Sequence, residues 1–270
     1  MTKICFFEKE FVVFELMRYF DVTNLLNSIK LLKNVKKKFI YRKLNKEYSL
    51  EYYKNKEFRN IVNNSVEKSN KQISLDLNNC LNITDVSALG NVYALVLNDC
   101  YNITDVSALG NVHTLYLDNC KKITDVSSLR NVHTLDLSGC NNITNISELR
   151  NIHTLYLHGY DKITDVSMLR NVHTLTLSYC ENINDVSELG NVHNLDLSLC
   201  KNITDVSALG NVHTLKLNSC DNITDVSALG KVHNLDLRGC KNITGVNALR
   251  NVHTLNISSH FRITLNDEIN

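Results

Sequence analysis

The sequence predicts an α/β solenoid in which short parallel strands stack into one sheet, a 3₁₀ or extended path returns on the other side, and a small helical domain stands in front. Three observations predict it. A twenty-residue pattern, seen cleanly at 111–130 as NVHTLYLDNCKKITDVSSLR, recurs ten times in register from Lys71, and the last copy loses it after Ile263. A fixed period of this length marks a stacked array, because no single unit can bury its own apolar face. Within the unit the apolar positions Val112, Leu115, Leu117, Ile123, Val126 and Leu129 change spacing from two to three, which neither a helix nor a strand produces alone. Residues 1–70 do not repeat and read as helices.

In chain order, Phe11, Phe14, Met17 and Phe20, with Val13 and Leu16 beside them, space out a first amphipathic helix. Asp21 and Thr23 can cap a second, built around Leu25, Leu26, Ile29, Leu32, Val35 and Phe39. Residues 48–70 form a junction that lays Phe58, Ile61 and Val62 on the first repeat and caps its apolar edge. The expected organisation is a helical segment at 1–47, this junction, and ten repeats over 71–270, the last a degenerate cap. In each repeat Leu115-x-Leu117 makes a short strand with one face inward. The three-residue steps through Cys120, Ile123, Val126 and Leu129 bring the chain back, each side chain inward.

VHTLYLDNCKKITD resembles the leucine-rich repeat, and Cys120 followed by Ile123-Thr124-Asp125 resembles its cysteine-containing subtype. That subtype has a longer unit with a convex helix, for which twenty residues leave no room. The resemblance therefore implies a parallel sheet on a concave face and 3₁₀ or extended segments on the convex one. It also implies that the cysteine thiol satisfies backbone carbonyls at the turn. The stretch FVVFELMRYFDVTNLLNSIKLLKNVKKKF resembles an F-box, although it lacks the Leu-Pro that often opens that motif. An F-box before repeats of this subtype implies a substrate receptor of an SCF-type ubiquitin ligase, with Phe14, Met17, Leu25 and Leu26 meeting the adaptor subunit. Asn/Lys/Ile-rich, proline-free arrays of near-identical units also resemble repeat families of large DNA viruses and protists.

Charge is divided along the chain. Residues 1–70 carry 15 Lys/Arg against 8 Asp/Glu, a balance of +7, and the remainder 14 against 20, a balance of −6. No basic-aromatic motif accompanies the positive end, which argues against a nucleic-acid partner. Neither a signal-peptide pattern nor an apolar run of membrane length is present, so a cytoplasmic, soluble protein without a membrane partner is expected. Cysteines 80, 100, 120, 140, 180, 200, 220 and 240 form a column of buried thiols in such a compartment. The recurring Asn-Ile-Thr, at Asn82 and Asn102 among others, is then repeat architecture and not a set of glycosylation acceptors.

Two further columns suggest chemistry without supplying it. Histidines 113, 133, 153, 173, 193, 213, 233 and 253 lie seven residues from the cysteine of their repeat, about 20 Å along a strand, so no mixed tetrahedral site forms. A stacked, hydrogen-bonded ladder of neutral rings is expected. The aspartates at 85, 105, 125, 165, 185, 205 and 225 follow Ile-Thr, where Asp bonds backbone amides of a return turn. No nucleophile, phosphate loop or metal motif interrupts the pattern, which predicts neither catalysis, nor a cofactor, nor a metal.

Alternation along the strand leaves two columns facing out of the sheet. One runs Asp76, Val96, Tyr116, Asp136, Tyr156, Thr176, Asp196, Lys216, Asp236, Asn256, and the next runs from Asn78 through His158 to Ser258. The inward positions are constant and these vary, which points to a protein target bound at Tyr116, Asp136, Tyr156 and His158. Arg130, Arg150 and Arg170, where other units have Gly, and Lys122 and Lys162, where others have Asn, are expected to form a basic strip on the rim. The sequence leaves open a free-standing binding or decoy protein whose helices only cap the array, and a metal-sequestering protein using the histidines.

Overall fold

Asn45 opens the described structure by capping a helix: its side chain accepts from the Tyr48 amide at 2.9 Å. The computed structural model describes residues 44–67 and 73–258, and the predicted helices over residues 11–39 lie outside them. Helix α1, Lys46–Lys54, ends at Asn55, whose amide donates to the Glu51 carbonyl. The Asn55 carboxamide then accepts from the amides of Glu57 and Phe58, starting α2, Lys56–Glu67. One residue thus stops one helix and caps the next.

The helix pair packs Tyr48, Tyr52, Phe58 and Val62 into the same apolar core as the repeats. The Leu44 amide donates to the Ser74 carbonyl at 2.9 Å, and the Ser49 hydroxyl accepts from the Asp76 amide at 3.0 Å. Both bonds occupy backbone groups of the first strand, so the sheet edge is covered as an exposed edge must be.

Ten three-residue strands follow, β1 (Ser74–Asp76), β2 (Ala94–Val96), β3 (Thr114–Tyr116), β4 (Thr134–Asp136), β5 (Thr154–Tyr156), β6 (Thr174–Thr176), β7 (Asn194–Asp196), β8 (Thr214–Lys216), β9 (Asn234–Asp236) and β10 (Thr254–Asn256). They form one parallel sheet in sequential order, each residue pairing with the residue twenty later. The ladder runs past the strands: the Leu117 and Asn119 amides donate to the carbonyls of Asp136 and Ser138, both at 2.8 Å.

The return path is the 3₁₀ type the spacing predicts, with one such helix per coil, for example Ser127–Asn131. Val112, Leu115, Leu117, Cys120, Ile123, Val126 and Leu129 are all buried, so each coil adds seven side chains to one continuous core. Full burial of a Leu or Val contributes about 1.5–3 kcal/mol.

Thiols and turn carboxylates take the places that their columns imply. Cys120 Sγ donates to the Leu97 carbonyl at 3.2 Å, reaching the strand end of the preceding coil, and its neighbours do likewise. Asp125 accepts from the Ser127 amide at 2.9 Å, and Asn145 makes the same turn without a charge.

The histidine ladder is stacked, with adjacent ring centroids 4.4–4.7 Å apart from His113 to His253, and Tyr93 extends it by one ring. Its hydrogen bonds run along each strand and not from ring to ring. His113 Nδ1 lies 3.2 Å from Thr114 Oγ1, and His233 Nδ1 lies 3.2 Å from Asn234 Oδ1.

Candidate protein-interaction surface

Strand pleating puts Leu115, Leu135 and Leu155 inward and turns Tyr116, Asp136 and Tyr156 outward. The register pairs Tyr116 with Asp136 and Asp136 with Tyr156, so a carboxylate sits between two rings, each one strand spacing away. At about 4.8 Å per strand the tyrosine Cα atoms lie roughly 10 Å apart. Asp136 accepts from the Ser138 amide at 2.9 Å, which fixes its side chain against the strand.

His158 borders this row. Its Nδ1 lies 2.8 Å from the Ser178 hydroxyl, and its ring meets Tyr179 edge to face at 5.1 Å. Asp118 lies on the same face. Burial pushes its carboxyl up, the charges of Asp136 and Asp99 add to the effect, and His158 opposes it. Tyr116, Asp136, Tyr156 and His158 are thus brought onto one face, as the alternation predicts.

The arginines are elsewhere on the coil. Arg130, Arg150 and Arg170 are exposed in the last turn of the 3₁₀ helices Ser127–Asn131, Ser147–Asn151 and Ser167–Asn171. Arg130 lines a polar groove of about 560 Å³ with Ser107, Ser128, Asn131 and Glu148, and Arg170 lies 3.5 Å from Glu188. Lys122 and Lys162 lie in the turn after the strand, where each ammonium donates to the asparagine one coil earlier, Asn102 or Asn142. Those lysines extend a ladder in which Asn142 and Asn202 donate to carbonyls of the preceding coil.

Asp118 belongs to the second outward column but not to the expected target site, and Tyr179 belongs to neither column. Tyr179 holds φ at 61°, a left-handed conformation that the coils otherwise give to Asn79, Asp99, Asn119, Gly139, Gly159, Leu199, Ser219 and Gly239. A bulky aromatic in a column held mostly by Asn, Asp, Ser and Gly is the signal that would have found it.

The same outward columns are neutralised internally in the C-terminal coils. Lys216 reaches Asp196 at 3.3 Å, and Arg238 clamps Asp236 with its closest contact at 2.6 Å. Burial raises the Asp236 carboxyl, but the Arg238 guanidinium, helped by Lys216, more than reverses this and holds it below the usual range. No group of three or more His, Cys, Asp or Glu among the described residues is placed to hold a metal ion, and no described helix is long and apolar enough to cross a membrane.

The profile of Leucine Rich repeats (2 copies) matches residues 110–151. No curated protein sequence matches the chain. Among solved structures, an internalin, InlF, of Listeria monocytogenes is 26% identical with a TM-score of 0.51, over 70% of this chain and 58% of that one. The chain thus spans less than two thirds of that relative. The leucine-rich repeat domain of the type III effector XopL is 16% identical with a TM-score of 0.50, over 65% of this chain and 72% of that one, a likeness of fold alone. Ten sequential parallel strands, 3₁₀ returns and these likenesses identify the fold as a leucine-rich-repeat solenoid.

Proposed function

We propose that the chain is a non-enzymatic protein-interaction module that takes its partner on the outward face of the sheet, around Tyr116, Asp136, Tyr156 and His158. Leucine-rich repeats serve generally as protein-interaction modules, and the observation that carries the location is the contrast along one pair of columns. In the C-terminal coils the outward aspartates are paired within the chain, and in the central coils two tyrosines flank Asp136, which has no Lys or Arg partner among the described residues. Interfaces draw most of their energy from a few aromatic and arginine anchors, and Tyr116 and Tyr156 are anchors of the first kind. Arg130, Arg150 and Arg170 act at the margin by steering. The test is affinity for an identified partner: Tyr116→Ala and Tyr156→Ala should each weaken it by about 1–2 kcal/mol. Equal binding by both variants, with loss in Lys216 or Arg238 variants, would move the site to the C-terminal coils.

The finer reading is a substrate receptor of an SCF-type ubiquitin ligase, in which the F-box-like residues 11–39 recruit the adaptor through Phe14, Met17, Leu25 and Leu26. The order of segments supports it, because the F-box-like stretch directly precedes a helix pair joined to the first coil. The burial of Tyr52 and Phe58 against the repeats equally favours the second reading, a free-standing binding or decoy protein whose helices close the array. Co-purification with the adaptor should depend on residues 1–43. An adaptor complex that survives their deletion would exclude the ligase reading.

A further inference from the structure

We propose that the slot between Tyr116 and Tyr156 receives an arginine side chain from a basic segment of the partner protein, with Asp136 as its floor. The proposal rests on the sheet-face reading above and specifies the chemistry of its occupant. The register puts the shorter Asp136 between two longer side chains on the same face. Two tyrosine Cα atoms roughly 10 Å apart leave room for one flat group of about 3.5 Å thickness between their rings. A cation halfway between them lies within the roughly 6 Å of each ring over which the ring quadrupole attracts it.

Charge selects the sign of the occupant. Asp118 and Asp136 share this face with Asp99 nearby, and their mutual repulsion, added to burial, disfavours the ionised form of Asp118. A bound cation relieves that repulsion. The chain also contains its own version of the contact, since Lys216 pairs with Asp196 across one strand of the same column and Arg238 binds Asp236 with two guanidinium nitrogens. Asp136 has no Lys or Arg partner among the described residues, and a partner protein can supply one. A planar guanidinium fits better than an ammonium, because it stacks on ring faces while bonding a carboxylate through its edge.

The test uses the full chain and a fluorescein-labelled peptide of Gly and Ser carrying three arginines, read by anisotropy. Saturable binding is expected, and replacing each arginine by uncharged, isosteric citrulline should weaken it at least about tenfold. Tyr116→Leu, Tyr156→Leu and Asp136→Asn should each weaken it by a similar factor. Asp161→Asn, which removes an equal charge from a post-strand turn, should leave it unchanged. Citrulline binding as well as arginine, equal binding by the slot variants and Asp161→Asn, or no saturation by about 1 mM would overturn the proposal. The same variants against the identified partner separate the two readings. If the tyrosine variants lose the partner and Asp136→Asn does not, the sheet face stands and the arginine falls. If none loses it, both fall.

Discussion

The Tyr160 hydroxyl donates a 2.7 Å hydrogen bond to the Leu137 carbonyl, the place that a cysteine thiol takes in the neighbouring coils. A longer side chain has kept the bond while filling more of the core, and the ring is fully buried. The Leu137 carbonyl also accepts from the Cys140 amide at 3.0 Å, so removing the hydroxyl leaves it one partner. Tyr160→Phe should therefore cost only about 1 kcal/mol. Tyr160→Cys, which restores the repeat's own residue but empties the ring's volume, should cost about 3–5 kcal/mol. Urea denaturation of the two variants checks the order, and a more stable Tyr160→Cys would show that the coil collapses around the smaller side chain.

The thiols themselves should be inert. Burial pushes Cys120 and Cys200 up to about 12, and Cys100 and Cys180 to about 11, which leaves almost no thiolate at neutral pH. A thiol reagent applied to the native protein should leave the column cysteines at 100–240 unlabelled and react with them only on unfolding. Rapid labelling of these positions in the folded state would contradict their burial.

Tyr179 is strained where the asparagines of its column are not. Asn79 and Asn119 hold φ at 57° and 60° with a side chain that tolerates the left-handed region, and a tyrosine at 61° does so at a cost of about 1–2 kcal/mol. Tyr179→Asn should raise stability by about 0.5–1 kcal/mol, the remainder lost with the contact to His158. If the same variant binds partner more weakly, the strain is maintained for the interaction. A fall in melting temperature would show that the ring's contacts outweigh the backbone term.

Much of this fold is legible because the twenty-residue period repeats every instruction. Leu115-x-Leu117 gives the strand, Cys120 through Leu129 the return, and Asp125 the turn, each recurring in the next coil and confirmed there by register. Single columns show less clearly what passes between coils. Lys122 looks like a surface charge in sequence, yet it donates to Asn102 one coil earlier. Arg130 and Tyr116 fall in the same unit but on different elements, a 3₁₀ helix and a strand. The pairing of Asp196 with Lys216 depends on a twenty-residue separation that only the sheet register makes a contact.

Acid should loosen the array in two steps. Burial holds the His213 imidazole below its ordinary value of about 6.5, and His193 and His233 on either side lower it further. A base with a depressed folded pKa favours the folded state fully above its ordinary value, and the contribution is lost as pH falls through that value. The turn carboxylates behave as depressed acids. The Ser127 amide, then its hydroxyl, holds Asp125 below the usual range, and Asp85, Asp105, Asp165, Asp185, Asp205 and Asp225 are held alike. Their contribution is present above about 3.9 and lost as pH falls toward their folded values. The melting temperature should drop below about pH 6.5 and again below about pH 4. Replacing His193, His213 and His233 by Gln should flatten the first drop and leave the second. A single drop near pH 4 in the parent protein would show that the ladder accepts protons without strain.

Truncation tests the helix pair that closes the array. Leu44, Tyr48, Tyr52 and Phe58 are buried in the repeat core, and Leu44 and Ser49 satisfy the backbone of β1. A chain beginning at Ser65 would uncover Ile73 and Leu75 and leave strand groups without partners, inviting edge pairing between molecules. It should melt lower and associate. Tyr52→Ala in the full chain tests the cap without truncation. It removes a buried ring and its bond to Asn63, an expected cost of about 3–5 kcal/mol. In a solenoid each unit touches only its neighbours, so that loss should appear first at the N-terminal coils. Hydrogen exchange of β1 and β2 amides should rise well before that of β6 and β7. Uniform exchange along the array would mean that the coils unfold as one cooperative unit and that the cap stabilises all of them.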